Sequence, residues 1–274
     1  MANAYTNMGR GSYKVRAIGC FCILSRFRAL SSCLKISVIV PAFNEEKLIG
    51  ASLASMRNAM AAFDEAGWQS ELIVCDNNST DRTAELARAA GAHVVFEPIN
   101  QIGRARNSGA AVATGEWLLF IDADSHPSRE LFADVVAAVR TGAFLYGGAT
   151  IKMDRRHPVA QLMTGFWNCI SRVKKYAAGS FILCDTAAFR KIGGFNLSLF
   201  AAEEIDLSVR LKVLARQSGK RGVILRKHPL VTSARKLELY SAREHAGFLI
   251  RTIFGWGRTL KDRDQCQPWY DGRR

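Results

Sequence analysis

The chain has no glycine-rich loop of the form G-x-x-x-x-G-K-[ST] and no G-x-G-x-x-G, which sets aside P-loop and dinucleotide-binding chemistry. Serine, cysteine and histidine form no triad signature, and the five histidines show no metal-ligand spacing. No cysteine pair has zinc-ligand spacing with a matching second pair. Cys20, Cys22 and Cys33 lie near the start, and Cys75, Cys169, Cys184 and Cys266 are isolated. An odd seven argues against a closed disulfide set, so a reducing, cytoplasmic setting is expected. No run of eighteen apolar residues is present, so no membrane span is expected. Helix-turn-helix, zinc-finger and RNA-recognition signatures are also missing, and nucleic acid is not an expected partner.

Acidic residues are absent from the first 35 positions, which hold six Lys/Arg. Residues 211–274 hold fifteen Lys/Arg against five Asp/Glu. The 36–210 stretch between them is nearly neutral, with seventeen bases and nineteen acids. A neutral body with basic ends suits an anionic partner, such as an acidic lipid surface or a diphosphate. The early run Ala17–Leu24 is apolar over eight residues and flanked by Arg16, Arg26 and Arg28. It is too short to span a bilayer, so residues 1–34 read as a basic arm, either disordered or lying on a membrane surface.

From residue 35 onward, strand and helix signals alternate. Ile36–Val40 is a β-branched run stopped by Pro41, and 47–63 has helical spacing. Further strands are expected at 71–75, 93–96 and 117–121, and helices at 81–90, 101–113 and 128–140. Four βα units in succession imply a mostly parallel sheet with helices on both faces, an α/β doubly wound fold. The second half is less regular. It predicts strands at 144–151 (where an antiparallel setting is open), 181–184, 223–225 and 230–232, and helices at 158–175, 187–192 and 204–215. A basic amphipathic helix is expected at 238–253, within a C-terminal extension, 233–274. Residues 35–232 read as one domain.

In such sheets ligands bind outside the carboxyl ends of the strands. That rule gathers Pro41–Glu45, Asp76–Asn78 and Asp122–Asp124 on one rim. Asp122-Ala123-Asp124 sets two carboxylates at the exit of an all-apolar strand, Trp117–Ile121. Hard divalent cations take such oxygen ligands together with substrate phosphates, so Mn²⁺ or Mg²⁺ is the expected cofactor. A turn or helix cap would use the same residues, although Ser128 is the better cap. Glu203 and Glu204 open a helix, where acids complement the dipole. They point in different directions, so one is free to face the rim and take a proton from an acceptor hydroxyl. Asp76 sits where an acceptor would read a nucleobase N–H. Arg106, near the start of the 101–113 helix, suits phosphate or solvent equally. His228, beside Pro229, is a candidate to complete a metal shell.

These segments, in order, resemble the family-2 inverting glycosyltransferases of the GT-A fold. The similar stretches are Val38–Glu46, Asp76–Asp81 (with Asn77 at a common second Asp), Arg106-Asn107-x-Gly109, Gly115-Glu116, Asp122–Asp124, Gly193-Gly194-Phe195 and Glu203-Glu204-x-Asp206-Leu207. The match covers roughly residues 35–232 and implies a GT-A-like sheet with a smaller acceptor-side region. It further implies transfer of a sugar from a nucleoside diphosphate, with inversion. By position Glu204 replaces the Asp usually assigned as base, with Glu203 beside it. Pro41, Ala42, Glu45 and Asp76 would hold the nucleoside, Asp122 the ribose or sugar, Asp124 the metal, and Arg106 the diphosphate. A UDP-sugar is the favoured donor, with a GDP-sugar as the alternative, and the acceptor is a glycan or lipid. The basic ends suggest peripheral membrane contact. Three rivals stand beside this reading: transfer to a polyprenyl phosphate, a nucleotidyltransferase, and a non-catalytic nucleotide-binding protein.

Overall fold

The computed structural model describes residues 34–155, 158–235, 258–262 and 266. The expected basic arm, apart from Leu34, and the expected helix at 238–253 lie outside the described residues.

One eight-stranded sheet organises the domain, in the order β3-β2-β1-β4-β7-β6-β8-β5. Its first half follows the predicted βα units: β1 (Lys35–Ala42), α1 (Ile49–Glu65), β2 (Gln69–Asp76), α2 (Thr83–Ala89), β3 (His93–Phe96), α3 (Ile102–Val112) and β4 (Trp117–Ile121). These four strands pair in parallel. The side chains of β1 alternate between two cores, as the two-residue strand period requires. Ile36, Val38 and Val40 join α1 and α4 (Arg129–Arg140) on one face. Ile39 joins α3, α6 (Thr186–Lys191) and α7 (Glu203–Gln217) on the other. β4 is buried at every position because it is covered on both faces. Gly109 brings α3 close to the sheet, since a Cβ there would stand 2.5 Å from Ile39 Cγ2.

The second half departs from the prediction in direction. β6 (Phe144–Met153) is antiparallel to β7 (Phe181–Asp185), but β7 is the strand that is reversed against β4. β6 therefore runs the same way as β1 to β4. The two short strands expected at 223–225 and 230–232 are one, β8 (Arg221–Thr232), parallel to β6 with irregular register near Ala149–Ile151. A two-residue β5 (Ser125–His126) pairs antiparallel with the end of β8. Ser128 caps α4 as expected, its hydroxyl accepting from Leu131 N. The reversal of β7 matters for the site. Phe181 pairs with Ile121, so the loop that enters β7 arrives where β4 ends.

Candidate active site

The carboxyl ends of β1 and β2 lie level, with Pro41 opposite Cys75 and Ala42 opposite Asp76. Both loops beyond are stitched together by side chains. Asn44, at positive φ, donates its N–H to Ser79 Oγ at 3.0 Å and accepts from Thr80 N at 2.8 Å. Asp76 is buried, and one of its oxygens accepts from Ser79 N at 3.1 Å. Glu45 is buried as well. Its two carboxylate oxygens each lie 2.8 Å from Arg235 Nη2, and its N–H donates to Thr83 Oγ1. Pro41, Ala42, Glu45 and Asp76 thus share one rim, with Pro41 and Ala42 contributing backbone within the sheet.

Asp122 and Asp124 follow β4 on the same rim. Asp124 is buried, and its carbonyl accepts from Ser233 N at 3.2 Å. Ser125 Oγ donates to Thr232 Oγ1 at 3.1 Å, so the end of β8 closes against this turn. The side chain of Asp122 is partly exposed, and its Oδ1 accepts from Arg106 Nη2 at 3.0 Å.

Arg106 is the centre of the arrangement and is 1% exposed. Besides Asp122, it donates from Nη1 to Glu203 Oε1 at 2.6 Å and from Nη2 to the Gly179 carbonyl at 2.9 Å. Its guanidinium lies 5.2 Å from the centre of the Phe195 ring. Its neighbour Asn107 exchanges two hydrogen bonds with the backbone of Phe195. The Arg106-Asn107 pair therefore ties α3 to β4, to the loop before β7, to the Gly193-Gly194-Phe195 turn and to the first turn of α7. Arg106, expected near a diphosphate, here gives its two terminal nitrogens to two carboxylates and a carbonyl, while its buried Nε has no hydrogen-bond partner. Gly179 belongs to the packing, because a Cβ there would lie 3.3 Å from Arg106 Nη2.

The two glutamates of α7 part as their helical positions dictate. Glu203 is buried against Arg106. Glu204 is less buried and lines a cleft of ≈ 290 Å³ with Asp122, Ile151, Trp167, Gly179 and Ser180. Ala202, which precedes them, takes the left-handed conformation at φ 60, a strained setting for a residue with a Cβ. One guanidinium faces three carboxyl groups here, so they cannot all ionise cheaply. Burial, then the charge of Glu203, pushes Glu204 up to about 8. Burial also raises Glu203, although Arg106 opposes the shift. Burial lowers the Arg106 pKa less than the charges of Asp122, Glu203 and Glu204 raise it.

His228 is not brought to this cluster. Its Nδ1 lies 3.1 Å from Asp134 Oδ2 on α4, and the ring is 43% exposed. The residues that reach the Asp122–Asp124 turn from that strand are Thr232 and Ser233. His228, expected as a candidate to complete a metal shell, thus stands beside Asp134. Among the described residues no three His, Cys, Asp or Glu side chains form a metal cluster. The donor set at the end of β4 is two carboxylates. That suits Mg²⁺ or Mn²⁺, which bind through one or two carboxylates and complete their shells with phosphate and water. Sequence reasoning missed Arg235 and Trp167. Nothing in spacing singles out Arg235 within a basic stretch, and Trp167 reads as one apolar residue of a helix.

Residues 37–192 match the family described as Glycosyl transferase family 2. An uncharacterized glycosyltransferase of Mycobacterium bovis is 36% identical over 138 residues, which cover 50% of this chain and 55% of that one. The chain thus spans about half the length of this relative. Among solved structures, Staphylococcus aureus TarS 1–349 in complex with UDP-GlcNAc superposes with a TM-score of 0.58 at 21% identity, over 86% of this chain and 69% of that one. The mannosyltransferase PcManGT from Pyrobaculum calidifontis, in complex with GDP-Man and Mn²⁺, does so with a TM-score of 0.61 at 20% identity, over 82% and 62%. These neighbours share the fold, and with the match over more than half the sequence the chain belongs to glycosyl transferase family 2.

Proposed function

We propose that this protein transfers a sugar from a nucleoside diphosphate, by preference UDP, to an acceptor hydroxyl in one inverting displacement assisted by a divalent metal. The observation that carries the reading is Glu204, a carboxyl pushed up to about 8, opening into a cleft beside Asp122 at the end of β4. A general base with a pKa near the working pH combines adequate ionisation with adequate basicity. The bound UDP-GlcNAc and GDP-Man of the neighbouring structures support a nucleotide-sugar donor.

In the proposed step Glu204 takes the proton of the acceptor hydroxyl. The hydroxyl oxygen bonds to the anomeric carbon, and the bond from that carbon to the diphosphate breaks, leaving its electron pair on the diphosphate. Asp122, fixed by Arg106, faces the sugar or ribose. Arg106 holds Asp122 and Glu203, and Glu204 lines the same cleft, so the alignment is set before substrate arrives. Asp124 would hold the Mn²⁺ or Mg²⁺, which offsets the charge gathering on the leaving diphosphate. The raised Glu204 favours a hydroxyl acceptor over a phosphate, which would need no base.

A thermal-shift panel of UDP- and GDP-sugars, with and without Mn²⁺, followed by a donor-turnover assay, tests the reading. One nucleotide should raise the midpoint most, and only with metal. Asp124→Ala should abolish the metal-dependent shift and turnover. Glu204→Gln should keep the shift and lose transfer. Undiminished transfer by Glu204→Gln would remove it as base, and a full metal-dependent shift in Asp124→Ala would remove the metal role.

A further inference from the structure

The helix α5 (Pro158–Lys174) packs one side on β6 and turns large apolar side chains outward on the other. Ala160, Thr164 and Ser171 are buried. Leu162, Phe166 and Val173 are 76%, 69% and 71% exposed, with Met163 at 49% and Cys169 also exposed. Positions 162, 166, 169 and 173 are spaced four, three and four apart, so they form one stripe along the helix. A helix that turns large apolar side chains to solvent along a single line has an unfilled partner.

Charge selects the partner. Residues 155–184 contain no Asp or Glu and five Lys/Arg: Arg155, Arg156, Arg172, Lys174 and Lys175. Arg172 and Lys174 are exposed at the C-terminal end of the stripe, where bases also complement the helix dipole. Arg172 and Lys174 border the C-terminal end of the stripe, and Asp154 lines a pocket with Gln161, Thr164, Gly165 and Asn168 to one side of it. An apolar face of this kind, bordered by lysine and arginine, lies in the headgroup region of an anionic bilayer with its axis in the membrane plane. No described helix is long and apolar enough to cross a membrane.

We propose that α5 docks the protein on an anionic lipid surface. The same helix carries Trp167 into the cleft that holds Glu204. Docking therefore sets the cleft mouth beside the bilayer, where a lipid-linked acceptor would present its hydroxyl. That consequence rests on the sugar-transfer reading, whereas the docking does not.

The test is sedimentation of the full chain with vesicles of phosphatidylcholine alone or doped with phosphatidylglycerol. The protein should pellet with the doped vesicles only. The triple variant Leu162→Ser/Phe166→Ser/Val173→Ser keeps every charge and should lose about tenfold or more in partitioning. Its thermal midpoint and its response to UDP with Mn²⁺ should match the parent, because the three side chains are exposed. Failure of the parent to pellet overturns the proposal. Unchanged pelleting of the triple variant does so too, by assigning binding to the basic ends. So does a parent that is dimeric by light scattering without lipid and becomes monomeric in the triple variant, which would make a second copy the partner. A missing nucleotide response with intact pelleting would sink the transfer reading and leave docking standing.

Discussion

Replacing Glu203 by Gln should make this protein a better catalyst at neutral pH, provided Glu204 is the base. Glu203 Oε1 accepts from Arg106 at 2.6 Å, and a glutamine oxygen can accept the same bond. What the substitution removes is a charge beside Glu204. Burial is the largest cause of the rise of Glu204 from 4.5 to about 8, and the Glu203 charge is the second. Burial remains in the variant, so only part of the rise is recovered, about one unit for a close like charge. The base works deprotonated. With a pKa of about 8, roughly one-tenth of Glu204 is ionised at pH 7, and with a pKa near 7 about half is. The expected gain in kcat/KM at pH 7 is about fivefold, vanishing above about pH 9 where both forms are ionised. Activity in both proteins should climb with pH, the variant about one unit earlier, because raising a base's pKa withholds its active form. The assay is nucleoside diphosphate release against pH at fixed metal. An unshifted profile would refute the electrostatic argument. Loss of activity at every pH, to the level of Glu204→Gln, would transfer the role of base to Glu203.

Two further substitutions test the frame around the site. Arg106→Met should cost about 3–5 kcal/mol in denaturant unfolding, because it leaves Glu203 buried without its cation. Titrating the variant should show net proton uptake on folding near neutral pH, as the carboxyls take protons instead. Glu71 provides a control far from the cleft. Burial alone would raise its pKa, but hydrogen bonds from Ser37, Thr114 and Lys35 outweigh burial and lower it to about 2. A depressed folded pKa gives stability that is full above the unfolded value of 4.5 and is lost as pH falls from there towards 2. Glu71→Gln should therefore cost about 1 kcal/mol at pH 7, a value reduced for its solvent exposure, and the gap should narrow below pH 4.5 and close below about pH 2.

The first half of the fold was legible because each strand there is an apolar run with a stop and each helix has a 3.6-residue period. β4 is the clearest case, since only a strand covered on both faces tolerates Trp-Leu-Leu-Phe-Ile. The reversal of β7 was not legible. Phe181–Cys184 is equally apolar in either direction, and direction is decided by what the strand meets, not by its own residues. β8 was split in two on paper because Arg226, Lys227 and Pro229 interrupt its apolar pattern, and the sheet absorbs that stretch as a register irregularity. At the site, residues that follow strands were placed correctly on one rim by topology alone. Their pairings were not. Whether Arg106 faces a phosphate or a carboxylate depends on Glu203, 97 positions away, and no local pattern encodes that distance. The contact of His228 with Asp134, 94 positions away, was hidden for the same reason.

Those long-range pairings bear on how a diphosphate would be received. Among the described residues the rim has two guanidiniums that are buried or nearly so, and both are held by acids: Arg106 by Asp122 and Glu203, and Arg235 by Glu45. A buried arginine pulled from a carboxylate to a phosphate leaves that carboxylate unpaired in a dry site, which costs several kcal/mol. The exchange gains nothing unless the freed acid finds another cation. A divalent ion at Asp124 avoids the exchange, since it brings new positive charge and leaves the Arg106 framework intact around Glu204. The arrangement of these arginines therefore favours metal rather than arginine as the partner of the leaving diphosphate. It also separates two jobs that the sequence merged on one rim. Arg106 gathers Asp122 and Glu203 beside Glu204, the groups that the proposed step uses for the sugar and the acceptor proton, and Asp124 is the residue proposed for the metal.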